Sequence, residues 1–180
     1  FTVYIFAIWF YSHKLKKYPL TGLIAVTVLT ILPFFAVFIY FKNFSTIIFV
    51  HAIFLFLVIM VRELLKDLQN MKAAIIYNYA TFPVAYGERK TKIVSIFLLV
   101  LTVLPTATLF RYPALSAMKY YFYFALTVLF ILGVCLWRSS ETKQYRMMHN
   151  VLKVLLLIGV FSLIFLDTSL IVEKVIDRLN

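Results

Sequence analysis

The chain has 180 residues, 64% of them hydrophobic and 18% aromatic, and carries a formal net charge of +11. A water-soluble domain of this length needs a largely polar shell, so the composition excludes one, and it excludes disorder as well. Lipid is the solvent that remains, and the positive charge then reads as loop topology, with no nucleic-acid partner.

The apolar stretches are long and continuous, whereas membrane-spanning strands alternate apolar and polar over roughly 10 residues. An α-helix of about 20 residues pairs its backbone N–H and C=O groups within one segment. The expected fold is all-α, a polytopic transmembrane helix bundle, with residues 1–180 forming a single domain. In chain order the stretches are 1–11, 20–41, 46–61, 93–110, 118–137 and 151–172. The first is too short to span. It opens on Phe1 in mid-run, without the basic n-region or cleavage site of a signal peptide, and reads as the end of an N-terminally truncated helix. Pro33 predicts a kink in the second, the third runs on into a polar helix over 62–71, and Pro105 lies near the end of the fourth. The single cysteine, Cys135, rules out a disulfide within the chain.

Loop charge gives the orientation. Of 18 basic residues, 13 fall on the first, third and fifth connections, among them Lys14, Lys16, Lys17, Arg62, Lys66, Arg89, Lys92, Arg138 and Arg146. The opposite side has five: Lys42, Arg111, Lys119, Lys174 and Arg178. The positive-inside rule puts the rich side in the cytoplasm of an integral, multi-pass protein.

The longest basic connection, 62–92, is where chemistry is expected. In VRELLKDLQNM the residues Glu63, Asp67, Asn70 and Ala74 share one helical face, and Arg62, Lys66 and Gln69 line the next. Carboxylates beside cations are what a Mg²⁺-bound diphosphate requires, because Mg²⁺ prefers hard oxygens shared between carboxylates and phosphate. The bland reading is a helix leaving the membrane through headgroups and water. A second candidate is Tyr11, Ser12, Lys14, Lys16 and Lys17, a lysine cluster able to hold phosphate or to serve as an interfacial anchor. His51, in mid-span, reads as a packing residue before a ligand. No His/Cys cluster has metal-site spacing.

Two motifs carry a family resemblance. YSHKLKKYPLTG, residues 11–22, resembles a stretch of the UbiA superfamily of intramembrane prenyltransferases. VRELLKDLQNMKAAIIYNYATFPVAYGERK, residues 61–90, resembles that family's second aspartate-rich region. On the family's nine-helix frame the chain looks like helices four (partial) to nine. The resemblance implies Mg²⁺-dependent transfer of a polyprenyl group from its diphosphate to a hydrophobic or aromatic acceptor within the membrane lipid. It implies Asp67 and Lys66 as catalytic residues, Asp67 and Asn70 toward the metal, and Tyr11, Ser12, Lys16, Arg62 and Asn70 toward the substrate. Thr81, Pro83 and Gly87 match the region's tail. Ala73, Ala74 and Ala80 replace a Gly-Asp pair and a Lys, and an Ala side chain coordinates nothing. Those departures motivate the alternative, a non-catalytic UbiA-like subunit with protein partners in a complex. A small transporter is disfavoured, since intramembrane charges are nearly absent.

Overall fold

The structure, a computed structural model, describes residues 2–15, 18–40, 46–112 and 118–162. Among them every regular element is an α-helix: α1 (Thr2–His13), α2 (Pro19–Tyr40), α3 (Thr46–Gln69), α4 (Met71–Ile76), α5 (Phe82–Tyr86), α6 (Glu88–Leu101), α7 (Val103–Leu109), α8 (Met118–Arg138) and α9 (Thr142–Ser162). Pro19–Ala36, Thr46–Gln69, Glu88–Leu109 and Met118–Arg138 are long and apolar enough to cross a membrane. This is the expected multi-pass helical bundle.

The central element is α3, which packs against α2, α6, α7 and α9. Its buried Phe54, Val58, Val61, Leu65 and Leu68 recur at alternating steps of four and three, so they form one continuous seam. Leu98 and Leu99 of α6, Phe122 and Leu129 of α8, and Leu152 and Leu155 of α9 close on that seam as one core. The outside is as apolar as the inside: Phe97, Leu104, Phe130, Trp137 and Leu157 are all exposed. Such a surface is stable against hydrocarbon and not against water. His51 is buried among rings, stacked on Phe34 at 5.7 Å and edge-on to Phe122 at 5.6 Å, which bears out its reading as a packing residue.

Helix starts and breaks follow from missing or satisfied backbone groups. Helix α2 runs unbroken through Pro33. Proline has no N–H, so the Leu29 carbonyl one turn earlier loses its helical partner, and the Tyr4 hydroxyl of α1 donates to that carbonyl at 3.2 Å. Pro105 acts otherwise. The expected span over 93–110 begins earlier, at Glu88, and divides at Thr102 into α6 and α7. Pro105 denies Leu101 its acceptor role, and the Thr102 hydroxyl donates to the Leu99 carbonyl at 2.6 Å. Helix α9 also starts early, nine residues ahead of the apolar stretch beginning at Val151. Gln144 explains it, since its side-chain oxygen accepts the backbone N–H groups of Ser140 at 2.9 Å and Glu141 at 3.1 Å. Gly159 permits the close approach of α8, because a Cβ there would meet the Tyr121 hydroxyl at 2.5 Å. The end of the last expected stretch, with Asp167, lies outside the described residues, as do Lys42, Lys174 and Arg178.

Candidate functional site

Cross-links between elements gather the three basic connections at one end of the bundle. His149 of α9 has Nδ1 3.3 Å from the Arg62 carbonyl of α3. The Tyr145 hydroxyl donates to Glu88 at 2.6 Å, and Lys92 reaches both Glu88, at 2.8 Å, and the Ser139 carbonyl. Tyr11, in the last turn of α1, stands within electrostatic reach of Asp67 and Glu63. Residues of the two motifs that are more than 50 positions apart in sequence are therefore close enough to influence one another at the basic end of α3.

Within the last turns of α3 the charges are not equivalent. Glu63 is buried, at 3% exposure, and both its oxygens are taken: Arg62 bonds Oε1 at 2.5 Å and Lys66 bonds Oε2 at 2.7 Å. A buried carboxylate needs such partners. Two cations on one carboxylate leave the trio with a positive charge, and Lys66, nearly half exposed, keeps ammonium protons for another acceptor. The Nε of Arg62 is buried without a hydrogen-bond partner among the described residues. Asp67, one turn on, is half-buried and Asn70 is exposed. Helix α3 ends there, and the chain continues almost directly as α4, with the Ala74 N–H donating to the Asn70 carbonyl at 2.9 Å.

The tail of the motif has a backbone logic. Thr81 caps α5 in an extended conformation, Pro83 occupies its first turn, and Gly87 ends it at φ 86°, a left-handed value that suits glycine. The Thr81 hydroxyl is buried without a hydrogen-bond partner among the described residues. Ala74 is buried, whereas Ala73 and Ala80 are exposed. Ser12 is exposed on α1, and Lys16 and Lys17 lie outside the described residues. Glu88, Lys92 and Tyr145 were not singled out by sequence, although the four-residue spacing of Glu88 and Lys92 signals an ion pair.

Could a Mg²⁺ be held here? Among the described residues no three His, Cys, Asp or Glu side chains group as a metal cage. Asp67, in the last turn of α3, and Asn70, in the turn between α3 and α4, are of the residue types that offer oxygen donors to an ion that brings phosphate oxygens with it. They fit that shared mode and not a cage made by protein alone.

A bundle of lipid-facing helices, with cationic connections gathered at one end around the mixed charges of Arg62, Glu63, Lys66 and Asp67, defines a polytopic membrane protein. Comparison with known proteins narrows this. The UbiA prenyltransferase family model matches residues 1–166, and the chain belongs to that family. A digeranylgeranylglyceryl phosphate synthase of Methanobrevibacter smithii (strain ATCC 35061 / DSM 861 / OCM 144 / PS) is 29% identical over 166 residues, an alignment covering 88% of this chain and 58% of the relative. The chain thus spans somewhat over half the length of that curated relative. No solved structure matches it.

Proposed function

We propose that the chain carries the diphosphate-handling end of an intramembrane prenyltransferase, which moves a polyprenyl group from its diphosphate to a hydrophobic acceptor. The observation behind this reading is the buried Glu63 with Arg62 and Lys66 on its two oxygens, with Tyr11 within electrostatic reach, in a chain of this family. Glu63 positions Arg62 and Lys66, and the net positive charge of the surrounding basic connections draws the diphosphate to the membrane face. Lys66 and the Tyr11 hydroxyl donate to its oxygens as negative charge develops on the leaving group. Ser12 and Lys16 are assigned to the same substrate by the motif they match. Asp67 and Asn70 would hold Mg²⁺, which when bound supplies further neutralisation of the diphosphate. Once the allylic C–O bond breaks, the carbocation is sheltered from water by apolar walls, and aromatic faces stabilise it.

The name of the Methanobrevibacter relative favours a prenylated glycerol phosphate over an aromatic quinone precursor as the acceptor. The basic loops are assigned to the cytoplasm, and residues 1–180 to one domain of the transferase.

The test is transfer of a radiolabelled prenyl group by the full-length protein and its Asp67→Asn variant. Turnover is expected to fall by about 100-fold, the scale seen when one group stabilising developing charge is removed, with the thermal midpoint retained. Unchanged turnover in a folded variant would remove Asp67 from the mechanism.

A further inference from the structure

A groove of about 520 Å³ runs between α8 and α9, on a part of the surface that the transferase reading does not use. Its α9 wall includes Lys143, Arg146, Asn150, Val154 and Ile158, spaced by three or four residues and therefore along one face of the helix. Phe124 and Val128 form the α8 wall. The opposite face of α9 is the packed one, where Tyr145 bonds Glu88 and His149 meets the Arg62 carbonyl. The groove thus opens away from the Glu63–Asp67 cluster.

The order of residues along the groove is directional. Lys143, Arg146 and Asn150 are all exposed at the basic end of the bundle, and neither cation has a carboxylate partner among the described residues. Below them the lining is apolar, with Met147 and Val154 exposed and Leu155 at the floor. From Met147 to Ile158 the helix rises roughly 16 Å at 1.5 Å per residue. That is close to half of the ~30 Å hydrocarbon core of a bilayer. The volume suits one ligand of small-molecule size.

We infer that this groove is a binding site for an anionic phospholipid of the bilayer leaflet on the basic side, with its phosphate at Lys143 and Arg146 and one acyl chain along Val128, Val154 and Ile158. The cations match the headgroup in sign, and the shaft matches one leaflet in length. A second copy of this chain would bring the same positive rim and be repelled. A reacting acceptor would have to face Asp67, and this groove faces the other way. A second groove, between α6 and α8, has the same apolar build with Arg138 at its rim, and it serves as the internal comparison.

The experiment is native mass spectrometry of the full-length protein released from vesicles holding equal phosphatidylglycerol and phosphatidylcholine with identical chains. The wild type is expected to retain the anionic lipid about thirtyfold over the zwitterionic one, the scale for two interfacial cations. Lys143→Gln with Arg146→Gln should erase the preference, while Arg138→Gln leaves it. Val154→Trp, which fills the shaft without touching charge, should reduce retention of both lipids and carries the test if the double variant fails to fold. Equal retention by the wild type, a preference surviving the double variant, or efficient disulfide formation between copies carrying Met147→Cys would each overturn the assignment. So would displacement of phosphatidylglycerol by a prenylated glycerol phosphate that is then consumed from the groove.

Discussion

Two carboxylate clusters stand at the same end of the bundle and are built on opposite plans. Glu63 is enclosed within its own helix, its side chain 4% exposed, with one cation a residue before it and the other three residues after it on α3. Glu88 is 40% exposed and reaches outward, joining α6 to α9 through Tyr145, while its partner Lys92 fastens the connection before α9 at the Ser139 carbonyl. The first cluster uses a buried charge to hold two cations at one helix end; the second uses a more exposed charge to hold helices together. In a bilayer protein, the depth of a carboxylate decides which of these tasks it can perform, because burial makes a lone charge far more costly.

That contrast predicts unequal damage. Glu63→Gln should be the most destabilising change, since it leaves the partly buried Arg62 without its counter-charge. A loss of about 3–5 kcal/mol is expected for the broken buried pair, read as a large fall in the thermal midpoint in detergent. The exposed Lys66 contributes little of it, because solvent screens its charge. A loss no larger than that of an exposed pair would show that the depth of Glu63 is not what matters. Glu88→Gln should cost about 1 kcal/mol or less, and its clearer signature is faster hydrogen exchange at the start of α9, where Tyr145 loses its acceptor.

The smallest effect links both clusters. His149, before the apolar part of α9, has its pKa lowered from the ordinary 6.5, chiefly by burial and against the pull of the Arg62 carbonyl. The folded protein therefore binds this proton less readily than the unfolded chain. The stability held by neutral His149 is fully present above pH 6.5 and declines as acid takes the solution below that value. Thermal midpoints between about pH 7 and pH 5 measure it, and His149→Gln should flatten the slope. An unchanged slope would place the titration elsewhere.

Much of this fold was legible before any coordinates. Continuous apolar stretches marked the helices, and the polar continuation of the third stretch, with Asp67 on it, is where α3 extends past the membrane. What escaped was governed by single hydrogen bonds. Hydropathy cannot see Gln144 capping α9 nine residues early, nor Thr102 dividing the fourth span. The site was legible as two motifs, and their meeting was not, because periodicity carries no distance between Tyr11 and Asp67. Glu63 could be placed on the face of Asp67 by spacing, but its burial, and with it the role of holding Arg62 and Lys66, emerges only from packing.

Tyr4 and Pro33 have a wider consequence. In oil, an oxygen that its own helix has abandoned cannot turn to solvent, so it becomes a socket that only a neighbouring chain segment can fill. A proline in such a helix thereby works as an address, telling one rod which other rod to lie against, and the message is written by the hydrogen that is missing.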